Sequence, residues 1–263
     1  MKQPKIELYN DHMQNFKSYQ IPKAQLIVAD IPYNLGNNAY ASNPMWYVDG
    51  DNKNGESDKA GKQFFDTDKD FKIAEFMHFC SQMLKPEPKE PNKAPCILIF
   101  CAFEQIPMVI DYGVKYGFKR NIPLFFIKNY SAQVLKANMR IVGATEHAIV
   151  LYRDKLPKFN NNGKMIFNWF EWARDTETPK IHETQKPVPL LKKLIEIFTD
   201  IGDTVIDPVA GSASTLRACA DINRNCYGFE IKKHYVKAAR EKMLKNTQQN
   251  LLYHYDNKEM DNG

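Results

Sequence analysis

The chain has 263 residues, 43% hydrophobic and 25% charged, with a formal net charge of +5. That is room for one large α/β domain or two small ones, with the composition of an ordinary globular protein. No run approaches the 18 apolar residues of a membrane span, and the start, Met1-Lys2-Gln3-Pro4-Lys5, has no apolar signal core, so a cytoplasmic protein without membrane contact is expected.

In chain order, Ile6-Glu7-Leu8-Tyr9 alternates as a short strand does and stops at the turn-forming pair Asn10-Asp11. Residues from His12 to Tyr19 suit a short helix. Ala24 to Val28 is an apolar run that reads as a buried strand ending at Ala29. Asp30-Ile31-Pro32-Tyr33 then sets a carboxylate, two stiffened backbone positions and a ring at that strand's C-terminal end, where open α/β sheets bind ligands. Taken alone, a Pro-containing turn with one exposed Asp explains it equally well. Asn34 to Asp70 is polar, with the aromatic islands Trp46-Tyr47 and Phe64-Phe65, and its place after the tetrapeptide suits a mobile lid or simple disorder.

Phe71 to Leu84 has helical periodicity and is ended by Pro86. Cys96 to Cys101 is a continuous apolar run, typical of a strand buried on both faces of a parallel sheet. A helix from about Gln105 to Tyr116 is closed by Gly117, and Ile122 to Ile127 and Glu146 to Tyr152 are further strands. Leu156 to Glu183 turns polar and basic around Trp169, Phe170 and Trp172. Pro187 to Thr199 reads as an amphipathic helix with Pro at its start. Val205-Ile206-Asp207 is a strand that enters Pro208-Val209-Ala210-Gly211-Ser212-Ala213-Ser214-Thr215. A small-residue helix, the strand Cys226 to Glu230 and a helix from Lys232 to about Lys245 follow, with a tail expected to fray. Seven strands alternating with helices imply a single α/β domain over 1–263, built on a doubly wound, mostly parallel sheet.

The five cysteines, Cys80, Cys96, Cys101, Cys219 and Cys226, show no C-x-x-C pairing and sit mostly in apolar runs, so no metal site is expected. Between Lys119 and Lys193 there are fourteen Lys/Arg against six Asp/Glu. Such a stretch suits a polyanion, although a solvated, lysine-decorated surface explains the charge as readily. Asp207 to Thr215 is a strand, a small-residue turn and a helix start, the form of a loop that lets backbone approach a nucleotide closely. Glu230 ends the next strand, where an acid can hold the ribose hydroxyls of an adenosine-containing cofactor. With Gly211 as its sole glycine, this loop alone is also readable as a plain tight turn.

Together the motifs are more specific. Asp30-Ile31-Pro32-Tyr33 resembles the D-P-P-Y motif of amino-methyltransferases, and Asp207 to Thr215 is similar to their cofactor loop, D-P-F-x-G-S-G-T-T. Thr184-Gln185-Lys186-Pro187 looks like their T-Q-K-P segment. The order, catalytic motif early and cofactor motif late, resembles that of the β-class DNA amino-methyltransferases with a Rossmann-like fold, over nearly the whole chain. The resemblance implies methyl transfer from S-adenosylmethionine to adenine N6 in double-stranded DNA. Asp30 and the Ile31 carbonyl would accept the amino hydrogens, Pro32 would hold Ile31 extended, and Tyr33 would stack on the flipped base. Glu230 would take the ribose and Asp11 the adenine side. Asp30, Asp207, Pro208, Ala210, Gly211 and Ser212 would line the cofactor site, with Thr184, Lys186 and Pro187 near its methionine portion.

The segment 153–183 would recognise the target, with Lys155, Lys158, Lys164 and Arg174 on phosphates. It is short for reading several bases, so a small site, the 34–70 loop or the second subunit of a homodimer would make up the difference. Trp169 and Trp172 fit a local hydrophobic cluster slightly better than DNA contact. Ile31 replaces Pro, Val209 replaces Phe and Ala213 replaces Gly in the family's pattern. If Ala213 takes positive φ, the loop is strained or the cofactor is held less tightly. Two other readings remain: cytosine N4 methylation, where Ser more often stands in place of Asp30, and a catalytically inactive fold that only binds nucleic acid.

Overall fold

The structure is a computed structural model and describes residues 3–33, 71–129, 143–182 and 184–245. The expected lid at 34–70 and the expected fraying tail lie outside the described residues. The strands are β1 (Ile6–Tyr9), β2 (Leu26–Asp30), β3 (Cys96–Cys101), β4 (Arg120–Lys128), β5 (Thr145–Tyr152), β6 (Trp169–Trp172), β7 (Thr204–Asp207) and β8 (Asn225–Phe229). The helices are α1 (Ile73–Met83), α2 (Ile106–Lys115), α3 (Val188–Phe198), α4 (Ser214–Asp221) and α5 (Lys233–Ala238), with a 3-10 helix at Met13–Ser18 after β1.

All eight strands form one sheet in the order β1-β8-β7-β2-β3-β5-β4-β6. The pairings run parallel from β1 to β3 and between β4 and β6, while β5 is antiparallel to both of its neighbours. The sheet therefore has one strand more than the seven expected. The added strand is Trp169–Trp172, inside the segment expected to recognise the target. Its Phe170 and Trp172 are buried and Trp169 and Glu171 exposed, the half-buried alternation of an edge strand. Trp172 is thus a core residue, whereas Trp169 stays open to solvent.

Alternation along the strands divides the core into two layers. Leu26 and Val28 of β2, Leu98 and Phe100 of β3, Ala148 and Val150 of β5, and Phe126 of β4 face α3 and α4. Ile27 and Ala29, Ile97 and Ile99, and Ile149 and Leu151 face α1 and α2. The period of two decides where the next residues point. Asp30, two beyond Val28, lies on the α3 side, and Ile31 is buried on the other, at 1% exposure.

Chain reversals are set locally. Gly117 closes α2 at φ +92°, a left-handed backbone that needs no Cβ. Gly113 of α2 is held close over the sheet, since a Cβ there would meet Leu151 at 2.9 Å. The five cysteines are buried and unbridged.

Candidate active site

Because β5 alone runs backwards, its N-terminal end meets the C-terminal ends of its neighbours. The result is a single edge carrying Asp30, Lys128, Glu146, Trp172, Asp207 and Glu230. Asp30 Oδ2 accepts a 2.6 Å hydrogen bond from Lys186 Nζ, delivered by the turn before α3. Asp30 Oδ1 is buried without a hydrogen-bond partner. Lys186 is only 7% exposed, and its ammonium stands 5.2 Å from the Tyr33 ring centre, 5.4 Å from Phe100 and 5.8 Å from Trp172. An ammonium taken from water needs a counter-charge, and Asp30 together with three ring faces provides for it. Burial pushes the Asp30 carboxyl above its usual range, with the charge and hydrogen bond of Lys186 pulling the other way.

The tetrapeptide is held at two further points. Gln105 Nε2 donates to the Pro32 carbonyl at 2.8 Å while its Oε1 accepts from the Ala102 amide at 3.0 Å. The Tyr33 hydroxyl donates to Glu146 Oε2 at 2.5 Å, and Lys128 Nζ donates to Glu146 Oε1 at 2.5 Å. Burial raises the Glu146 carboxyl, but Lys186, Lys128 and the Tyr33 hydroxyl outweigh it and leave Glu146 below its usual range. The Tyr33 phenol is pushed well above its usual value by burial, reinforced by Asp30 and Glu146.

On the other half of the edge, Asp207 is buried, with Oδ1 accepting from the Val209 amide at 3.1 Å. Burial lifts its carboxyl to about 7 against a hydrogen bond from Thr215. Pro208, Ala210 and Ser212 are buried in the turn that follows, and Gly211 takes φ +49° with open space around it. The Gly211 amide donates to Glu230 Oε2 at 2.9 Å, and the Lys232 amide to Oε1 at 2.7 Å. Each Glu230 oxygen keeps lone-pair capacity beyond those bonds. Ala213 takes φ +61°, the left-handed geometry that the Gly-to-Ala departure put at issue. The strain is present.

The other expected site residues are placed as follows. Asp11, just past β1, accepts at Oδ1 from the His12 amide and Asn15 Nδ2, both at 2.7 Å, and at Oδ2 from the Tyr19 hydroxyl at 2.8 Å. Thr184 is exposed and turned onto His182, and Pro187 is buried at the start of α3. Lys186 is directed at the tetrapeptide through its bond to Asp30. Lys155 Nζ donates to the Pro88 and Lys89 carbonyls, and Lys158 is paired with Asp200. Lys164 and Arg174 are exposed. Sequence reasoning put Lys128 at the ligand-binding end of its strand and Glu146-His147 within the span of the family resemblance, but gave neither of them, nor Gln105, a role at this edge. Glu146-His147 was visible as an acid–imidazole pair opening a strand, but only the reversed direction of β5 brings it to the site.

Among the described residues no group of three or more His, Cys, Asp or Glu could hold a metal ion, and no helix is long and apolar enough to cross a membrane. One edge of the sheet thus brings together a strand-end carboxylate with one buried, unpaired oxygen, a glycine turn and a second strand-end acid, the two parts a group-transfer site needs. Residues 24–241 match the N6/N4 DNA methylase family, and the chain belongs to it. It is 26% identical over 254 residues to the DNA adenine methyltransferase YhdJ of Escherichia coli, covering 89% of this chain and 80% of that one. With the type II methyltransferase M.MjaI of Methanocaldococcus jannaschii it shares 37% over 158 residues, 54% of this chain and 51% of the other. In fold it is similar to the crystal structure of the M1.HpyAVI–SAM complex (TM-score 0.66, 23% identity, 90% of this chain and 98% of that one). It is also similar to the cytosine-N4-specific PvuII DNA methyltransferase (TM-score 0.63, 14% identity, 90% and 86%).

Proposed function

We propose that this DNA methyltransferase transfers a methyl group from S-adenosylmethionine to the N6 amino group of adenine in double-stranded DNA, with the target base turned out of the helix. The observation that carries the reading is Asp30, whose Oδ2 is fixed by Lys186 while Oδ1 is buried and unpaired. Each such buried acceptor costs about 1–3 kcal/mol unless it is given a donor, and an exocyclic amine supplies one.

S-adenosylmethionine supplies an electrophilic methyl group on its sulfonium. The chain's part is to prepare the amine. The amino nitrogen's lone pair is delocalised into the base, and it attacks only when the nitrogen is made pyramidal. Asp30 Oδ1 accepts one N–H and the Ile31 carbonyl the other, which turns the lone pair out of the ring plane. As the nitrogen becomes cationic these bonds strengthen, so they favour the transition state over the ground state. Lys186 keeps Asp30 ionised at the start, and the raised Asp30 carboxyl suits it to take the surplus proton once the methyl has moved. Tyr33 offers its ring to the base, a stack worth about 1–3 kcal/mol. Glu230 and the Gly211 turn serve the adenosine end of the donor, with Asp207, Pro208, Ala210 and Ser212 closing the loop behind them.

Adenine is favoured over cytosine by Asp30 itself, since the cytosine enzymes of the family more often carry Ser at this position. YhdJ is described as an adenine methyltransferase. The test is to incubate the protein with methyl-labelled donor and DNA, digest, and identify the labelled nucleoside. Label in N6-methyladenine is expected, and label in N4-methylcytosine would overturn the choice of base. Asp30→Ala is expected to lower kcat by about 10²–10³-fold, and no label with wild type and this variant alike would remove the enzyme reading.

A further inference from the structure

We propose that Glu146, braced by Lys128, is a positioning residue for Tyr33: it fixes the plane of the ring on which the target base stacks. The inference rests on the amino-methylation reading above and assigns a task to two residues that reading does not use.

Glu146 lies on β5 opposite Phe126 of β4, and Lys128 stands two residues further along β4 on the same face. Side chains so placed are diagonal neighbours and pair readily. A cross-strand ion pair would be the whole account if Lys128 engaged both carboxylate oxygens. It engages one. Oε1 goes to the Lys128 ammonium and Oε2 to the Tyr33 hydroxyl, each at 2.5 Å. Glu146 is 19% exposed and Lys128 10%, so the pair is shielded from water, and Lys128 is further lodged 4.8 Å from the Trp172 ring centre.

Tyr33 reaches Glu146 from beyond β2 across the intervening β3. Its backbone end is steadied by Gln105 on the Pro32 carbonyl, and its hydroxyl end by Glu146. A ring tied at both ends has little freedom at either side-chain torsion. A base that stacks on it then meets a surface already ordered, and the cost of ordering that side chain is not incurred at binding. The ionised acceptor matters as well, because a charge-assisted bond is about twice as strong as a neutral one.

The experiment is a double-mutant cycle on kcat with long unmethylated DNA, using Tyr33→Phe, Glu146→Gln and the double variant, with donor binding measured by calorimetry. If Glu146 acts through the Tyr33 hydroxyl, each single change slows methyl transfer by about tenfold and the double is within about twofold of the slower single. Donor affinity stays within about twofold of wild type throughout, since neither residue lies in the cofactor turn. A double variant slowed by the product of the singles, or a Tyr33→Phe enzyme as fast as wild type, overturns the proposal.

A second measurement needs no activity. With tyrosine labelled at the ζ-carbon, the Tyr33 resonance, assigned by its absence in Tyr33→Phe, is expected to move in Glu146→Gln and, to a lesser degree, in Lys128→Met. Should it stay in place in a folded Glu146→Gln protein, the positioning role fails, whether or not the wild type methylates DNA.

Discussion

The two halves of the ligand edge solve different problems with different chemistry. On the half formed by β2, β3, β5 and β4, charges are paired: Lys186 with Asp30 and Lys128 with Glu146. On the half formed by β7 and β8, Asp207 and Glu230 have no lysine or arginine within salt-bridge distance among the described residues and are served by backbone amides and a hydroxyl, with the charges of Lys232 and His234 acting on Glu230 from further off. Under the proposed function, the difference matches what each half would hold. A pyramidal amine that gains positive charge needs an ionised acceptor, and keeping a carboxylate ionised away from water needs a cation beside it. A neutral ribose needs acceptors that stay put, and N–H groups hold a carboxylate in place without competing for all of its lone pairs.

The comparison breaks most visibly at Lys186. Replacing it by Met leaves Asp30 with its burial and without its cation. We expect a loss of about 1–3 kcal/mol in unfolding free energy. We also expect the acid limb of the pH–rate profile to move to higher pH, because a protonated Asp30 is a weaker, neutral acceptor and has no room for the surplus proton. A limb that does not move would show that Lys186 does not govern Asp30.

Asp207 sharpens the contrast from the other side. Its folded-state value of about 7 stands above the ordinary 3.8, so the folded protein holds that proton more tightly than the unfolded chain. The stabilisation is complete below about pH 4 and is lost as pH rises through about 7, by up to about 1.4 kcal/mol for each unit crossed. Asp207→Asn is neutral at every pH, so its stability relative to wild type should grow between pH 5 and pH 8 in denaturant titrations. A constant gap would mean that a counter-charge, as at Asp30, operates here too.

The smallest effect is expected at Ala213. Glycine would relieve about 1–2 kcal/mol of left-handed strain. Against that stand a lost buried methyl, about 0.8 kcal/mol, and added chain entropy, about 0.5–1 kcal/mol. Ala213→Gly should therefore change stability by less than about 1 kcal/mol in either direction. A loss near 1.5 kcal/mol would show that the alanine is not strained.

Much of this arrangement was legible in the chain itself. Buried strands such as Cys96–Cys101 announce themselves by unbroken apolar runs, and the two halves of the site by local motifs at strand ends. What escaped was what depends on pairing across the sheet. Trp169–Trp172 is only four residues long and sits among polar neighbours, so its period of two is hard to tell from an aromatic cluster until β4 is placed beside it. Lys128 and Glu146 lie eighteen residues apart on strands that look like any other pair, and no local pattern says that one of them runs backwards. Lys186 is marked by its T-Q-K-P segment and expected near the cofactor, and only the fold shows its bond to Asp30, 156 positions away.

The reversal of β5 also shapes where the chain meets the ligand edge. β4 ends at Lys128 and β5 begins at Thr145, both at the ligand edge, whereas the parallel pair β2 and β3 is joined through α1, so the chain that leaves at Tyr33 comes back to the sheet at its opposite end. A single inverted strand thus gives the ligand edge a strand beginning, with Glu146 next to it, among strand ends that carry Asp30, Lys128 and Asp207.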